Sequence, residues 1–251
     1  MAINSYYLKA RLFPTVLTSI PAIILYNKFV ANLYHDKLEN IYSALPTVTD
    51  IILSSAIVFL LVQINRFISK EIFQRLYFKD EINMPTTNLL LKSNVELETS
   101  IKQKIEDKIK GKFDISLLTS IEESADEPRA RKLIATTVSQ IRNVLRDNSL
   151  LLQHNIEYGF FRNLIGGSFL AFIISLIILI YSHCTGDLTT RNLGWILTSI
   201  YFLPILLSKV IIDRYGKYYA KILYEQFLTI WEMDEQHKKS IVLQRQNKRL
   251  N

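Results

Sequence analysis

Apolar residues gather in four blocks, at 12–29, 51–68, 164–181 and 193–212, and charged residues fill the stretches between them. Each block approaches the about 20 residues that a helix needs to cross about 30 Å of hydrocarbon. None of the four contains Asp or Glu. Backbone amides in lipid must pair internally, so four membrane helices are the expected form. Pro14, Pro21 and Pro204 fall inside two of these blocks, where they bend a helix rather than end it. The first block follows Lys9 and Arg11 like the charged start of a signal peptide. Residues 29–33 offer no small-residue cleavage pattern, so the block is read as a retained first helix.

The stretch between the second and third blocks has a different period. Met84-Pro85-Thr86-Thr87 predicts an extended or turned segment, because a proline disfavours helix at the residue before it. Asn94 reads as an N-cap, with Leu97, Ile101, Ile105 and Ile109 recurring every four residues up to Gly111. That pattern predicts an amphipathic helix with lysines on its outer face. A shorter helix is expected from Asp114 to about Ser124. Asp126-Glu127-Pro128 then opens a long helix, since acids and proline suit a first turn. Its stripe of Leu133, Thr137, Ile141 and Leu145 continues through Leu152 and Ile156, so it is expected to run nearly into the third block. After the fourth block, Tyr219, Leu223, Phe227 and Ile230 predict a helix over 215–231, followed by a frayed polar tail.

Charge orients the chain. The head has two basic residues and no acid, 70–162 has 15 basic against 14 acidic, and 213–251 has 8 against 5. The loops at 28–50 and 182–192 are poor in basic residues. The positive-inside rule then places both termini and 70–162 in the cytoplasm, and accounts for most of the net charge of +7. The expected fold is all-α: a multi-pass membrane protein with four transmembrane helices and a helical cytoplasmic insertion between the second and third. Its parts are an N-terminal transmembrane hairpin over 1–69, the insertion over 70–161, a second hairpin over 162–212 and a cytoplasmic helix and tail over 213–251.

Candidate chemistry is sparse. The single cysteine, Cys184, excludes an intramolecular disulfide. The four histidines are scattered, no span holds a carboxylate for a proton relay, and no nucleotide-binding glycine loop or serine-hydrolase motif is present. Glu122-Glu123 reads as an exposed helix end rather than a catalytic pair, and Glu71, Asp80 and Glu81 beside Lys79 as a charged juxtamembrane turn. No catalytic residue, metal ligand or cofactor is expected, and the chain is read as a non-enzyme. What remains is polarity in the membrane: Thr15, Thr18 and Ser19 on the first block, Ser54 and Ser55 on the second, and Gln63, Asn65 and Arg66 near its end. Such groups turn toward other helices or toward a water-filled path. Gln63 and Asn65 are the candidates for a pore or gate, with interhelical hydrogen bonding as the alternative. Gly166-Gly167 suggests close helix packing.

On the long helix Arg131, Arg142 and Arg146 are spaced to share one face and are the candidate ligand-binding residues. Guanidinium groups in a row bind phosphates bidentately; the alternative is a solvated face paired with acids. Arg129, Lys132 and Arg162 are near in sequence. Tyr77, Phe78, Phe113 and Tyr158 offer rings for base stacking, or equally for a core or an interfacial belt.

Three stretches carry a resemblance: Tyr6-Tyr7-Leu8-Lys9-Ala10-Arg11, then Asp80 to Leu91 with Met84-Pro85-Thr86-Thr87 followed by Asn88-Leu89-Leu90-Leu91, and Tyr158-Gly159-Phe160-Phe161-Arg162-Asn163. With the four-block layout, they resemble bacterial four-span membrane effectors encoded beside nucleotidyltransferases in anti-phage loci. The layout is similar to the Hailong-type effector and, more loosely, to the membrane effectors of cyclic-oligonucleotide defence. The resemblance implies a homo-oligomeric ion channel in the bacterial inner membrane whose opening depolarises an infected cell. It also implies an oligonucleotide ligand from the partner nucleotidyltransferase, a single-stranded deoxyadenylate that holds the channel closed in the Hailong case. Because 70–162 is almost neutral, a basic pocket there has to be assembled locally or between subunits. The competing reading is a non-conducting membrane scaffold or receptor that docks a cytoplasmic partner.

Overall fold

The computed structural model describes residues 5–26 and 46–250. The end of the first block, Lys28 and most of the expected 28–50 loop with His35 lie outside the described residues, as do the side chains of Ser54 and His237. Every element among the described residues is helical. The main ones are α1 (Ser5–Leu25), α2 (Pro46–Phe67), α3 (Pro85–Leu90), α4 (Thr99–Phe113), α5 (Ser120–Ala125), α6 (Glu127–Val144), α7 (Ser149–Thr185), α8 (Leu188–Leu206) and α9 (Ser208–Leu250), with short helical turns at Ile68–Gln74, Arg75–Phe78 and Asp80–Asn83. Two of these, α1 and α7, are long and apolar enough to cross a membrane; α8 with Ser208–Ile230 of α9, bent by 48°, makes a third if taken as one span. Such helices mark a membrane protein. The 51–68 block falls on α2, whose side chains are described only in part.

The chain divides into two compact units, Met1–Tyr77 with Ile156–Ile212, and Phe78–Asn155 with Asp213–Asn251. Helix α7 is shared between them, residues 149–155 lying in the second unit and 156–185 in the first.

In the first, apolar unit the prolines decide where α1 departs from a regular helix. Ser19 interrupts it two residues before Pro21. Pro14 and Pro21 have no N–H to offer the carbonyls four residues back, those of Ala10 and Leu17. Both carbonyls are picked up by side chains from other helices: Asn163 Nδ2 donates to Ala10 O at 2.6 Å, and Tyr201 Oη donates to Leu17 O at 2.6 Å. Proline thus fixes α1 against α7 and α8. Pro204 precedes the 48° bend at Leu207 by three residues. Between α7 and α8 the turn is short: Gly186 takes a left-handed φ of +72°, and Asp187 caps α8 by accepting from Thr190 N and Oγ1.

The second, polar unit has a hydrophobic core. Ile105 and Ile109 of α4, Ile134 and Ile141 of α6, and Leu223 and Phe227 of α9 are among its buried members. The helical repeats of the sequence therefore mark the faces that pack. Several boundaries differ from expectation. Helix α4 starts at Thr99, because Asn94 Oδ1 accepts from Glu96 N and closes a local turn instead of capping a helix. It then runs through Gly111 to Phe113 and stops at Asp114, which adopts a left-handed conformation. Met84 is extended as expected, but Pro85 opens the short helix α3. The long helix does not continue to the membrane block: α6 ends at Val144 and α7 starts afresh at Ser149. Asn148 caps the new helix by accepting from Leu151 N at 2.9 Å. The sequence signal for this break is Asp147-Asn148-Ser149, three cap-forming residues inside an otherwise apolar period. Helix α9 extends to Leu250, through the tail that composition reads as frayed.

Candidate functional site

The lysines of α4 do not all face outward. Lys102 is buried, and its ammonium donates to the carbonyls of Leu91, at 2.6 Å, and Asn94. Removal from water lowers its pKa, with Glu123 and Glu106 opposing the shift. Glu123 is itself buried and accepts from the backbone N–H groups of Lys92 and Ser93. Between them, a lysine and a glutamate hold the 91–94 turn from both sides. Glu122 instead completes a capping box with Thr119, and that backbone hydrogen bond holds its carboxyl below the usual range. The adjacent acids are therefore two separate structural devices.

That turn forms one wall of a cavity of about 400 Å3. Asn88 and Pro85 of α3, Ser93, Asn94 and Glu96, Arg131 of α6, and Asp213 and Lys217 of α9 line it. Its charges are already engaged. Lys217 meets Glu96 at 2.8 Å and Asp213 at 3.8 Å. Arg131 donates to Glu127 Oε1 from Nε at 2.7 Å, and from Nη1 to Asn88 Oδ1 at 2.6 Å and Ile82 O at 3.3 Å. Nη2 also lies 2.7 Å from Glu127. Arg131 thus clamps the Met84–Leu91 stretch to α6.

Arg142 and Arg146 line a different cavity, of about 230 Å3, with Asn155, Tyr219, Leu145 and Leu151. Arg142 lies over the Tyr219 ring at 5.8 Å and reaches Thr86 Oγ1 at 3.4 Å. Arg146 is exposed and sits in the turn beyond the end of α6. The three arginines expected on one helical face are therefore divided between two cavities, Arg131 in one and Arg142 with Arg146 in the other, and Arg146 lies beyond the end of the helix. Arg162 belongs to the apolar unit and stacks on Tyr158 at 5.5 Å. Of the aromatics considered for base stacking, Phe113 lies parallel to Phe227 against the hydrophobic core of the polar unit, and Phe78 is buried.

In the apolar unit Asn65 and Gln63 part company. Asn65 is buried, and its Nδ2 donates to Thr15 Oγ1 at 3.2 Å and Thr18 Oγ1 at 3.1 Å. Those hydroxyls in turn donate to Arg11 O and Pro14 O of their own helix. Ser69 Oγ donates to Asn163 Oδ1 at 2.9 Å, extending the seam to α7. Glycine permits the approach: a Cβ on Gly166 would lie 2.6 Å from Asn65 O, and one on Gly167 2.7 Å from Asn65 Nδ2. Gly159 likewise faces Ala10 and Tyr6, so the Tyr6–Arg11 and Tyr158–Asn163 stretches meet. Gln63 is half-buried and lies four residues from each of Phe59 and Phe67, both strongly exposed.

Asn163, Tyr201, Asn155 and Tyr219 were not singled out for these roles by the sequence. The orphaned carbonyl four residues before each proline of α1 was a readable signal that partners such as Asn163 and Tyr201 were needed. Tyr219 looked like one more member of an apolar stripe. Among the described residues no group of three His, Cys, Asp or Glu is placed to hold a metal ion. No protein-family model, curated protein or solved structure matches the chain.

Proposed function

We propose that this chain is a ligand-gated membrane effector: a homo-oligomeric ion channel of the bacterial inner membrane, with four spans and both termini cytoplasmic. Its polar unit senses an oligonucleotide made by a partner nucleotidyltransferase, and opening depolarises a phage-infected cell. The defence setting and the ligand come from the resemblance to anti-phage effectors.

One observation carries the channel reading. The apolar unit pairs the buried Asn65, Ser69 and Asn163 within its own seam and turns large apolar side chains outward, whereas Gln63 lies between outward-facing Phe59 and Phe67. An amide on such a face has no use for lipid, and another protomer supplies the polar surroundings it needs. On this reading the conduit forms between protomers, Gln63 lines it, and Asn65 supports the helix from behind. Helix α7 belongs to both units, which supports it as the element that carries ligand state to the spans. Gating requires that the ligand bind closed and open states with different affinity.

The test is current through purified protein in a planar bilayer, with and without short single-stranded deoxyadenylate. Current that the oligomer suppresses supports a channel held shut by nucleotide. Current indifferent to it removes the ligand from the proposal. Silence from verified folded oligomer overturns the channel and leaves the scaffold. Gln63→Leu should change single-channel conductance while leaving folded yield unaltered.

A further inference from the structure

The two cavities of the polar unit differ in one respect that decides what each can hold. The larger contains Glu96 and Asp213 within its wall, and its cations are paired with carboxylates. The smaller has no carboxylate in its lining: Arg142, Arg146, Asn155 and Tyr219 share it with an apolar floor of Leu145, Leu151 and Leu152. Asp147 follows Arg146 in the chain but does not line the cavity. Two arginines that line one cavity with no acid in its wall are suited to a phosphate, which each guanidinium can grip with paired N–H donors.

We propose that Arg142 and Arg146 hold a phosphodiester group in this cavity, with Asn155 and Tyr219 as further hydrogen-bonding partners. At about 230 Å3 the space is below the about 300–1,000 Å3 of typical small-molecule pockets. It takes one phosphate and its adjoining sugar or glycerol, not a whole oligomer. The apolar floor suits that carbon skeleton. Arg131 is excluded from the site, because its guanidinium is spent on Glu127, Asn88 and Ile82.

The location gives the site a regulatory meaning, which rests on the ligand-gated reading above. Arg146 lies in the break between α6 and α7, while Leu151 and Asn155 are in the opening turns of α7. A phosphodiester bound here ties the turn to the start of the helix that continues as the 164–181 block. Occupancy therefore stiffens the one point on that path where the helix is interrupted.

A phosphodiester can come from a soluble oligonucleotide or from a lipid headgroup, and the test separates the two. Full-length protein in nanodiscs of neutral phosphatidylcholine is titrated with fluorescent trideoxyadenylate. In parallel, native mass spectrometry counts the phosphatidylglycerol retained from mixed-lipid nanodiscs. Arg146→Ala should weaken the occupant by about tenfold, the value of one charged hydrogen-bonding contact. For the trimer it should also make the salt dependence shallower by about 0.7 in logarithmic slope. Arg146 is exposed, so its loss leaves the fold intact; Arg142→Lys then tests the fork geometry with the charge kept. Arg129→Ala, an exposed arginine of α6 outside both cavities, should change nothing. Loss of trimer binding in Arg146→Ala assigns the site to a soluble ligand, and loss of retained lipid alone assigns it to the headgroup. If both probes are indifferent to Arg146→Glu, or neither binds the native protein, the site is overturned. Arg146-dependent trimer binding without any effect on current would leave the site standing and sink nucleotide gating.

Discussion

The apolar unit buries Asn65, Ser69, Asn163, Ser175 and Thr18, and leaves Phe59, Ile180, Trp195 and Leu206 more than half exposed. The polar unit does the reverse, burying Ile105, Ile109, Ile141 and Leu223 while exposing Glu98, Glu122, Arg129 and Arg146. The difference teaches what each solvent leaves for the protein to supply. Against hydrocarbon, apolar contact between helices gains nothing over contact with lipid, so association depends on close approach and on hydrogen bonds. Against water, removing apolar surface is itself the driving force. Glycine and asparagine hold the first unit, and isoleucine and leucine the second, for that reason.

The contrast can be broken most severely at the glycine contact. Gly166→Leu drives a side chain into the backbone of Asn65 and Ser69, neither of which can swing aside. It should abolish recovery of folded protein by size exclusion in detergent, and a normal elution profile would refute the close packing. Ile141→Ala comes next. It opens a cavity in the water-type core and should cost about 2–5 kcal/mol in denaturant unfolding. The exposed Ile196 of α8 serves as its control, since Ile196→Ala removes no buried contact and should stay near native.

Asn65→Leu sharpens the comparison further. Two hydrogen bonds to threonine hydroxyls disappear, but those hydroxyls keep their own carbonyl partners, so a loss of about 1 kcal/mol in thermal stability is expected. A gain in stability would mean that the seam is held by apolar contact after all. The smallest effect concerns Lys102. Its folded pKa is below the 10.5 of a free lysine, so the unfolded chain binds the extra proton between the two values. Stability should therefore rise as pH increases through that window toward 10.5 and level off above it. Circular dichroism during denaturation should show this slope in the native chain and a flatter one in Lys102→Met.

Much of this architecture was legible because helical period and solvent preference are local properties. Leu97, Ile101, Ile105 and Ile109 mark the packing face of α4, although Asn94 was misplaced as its cap. The same period concealed the end of α6, since Leu145 and Leu152 continue the apolar rhythm across the break and only Asp147-Asn148-Ser149 contradicts it. Arg131 and Arg142 share a helix and yet serve different cavities. What separates them is α3, which lies more than forty residues earlier in the chain and engages both, Arg131 through Asn88 and Arg142 through Thr86.

By itself the sequence determined that the chain is helical, that apolar helices alternate with a charged segment, and which residues recur on each helical face. These follow from neighbouring residues and the 3.6-residue turn. Only the tertiary structure decided that Asn65 faces a threonine pair while Gln63 does not, and that Asn163 and Tyr201 complete carbonyls released by proline. It also decided that Arg146 joins Tyr219 around a cavity without acids. Each of these depends on which distant segment comes within about 3 Å of a polar atom, a relation that no local pattern encodes.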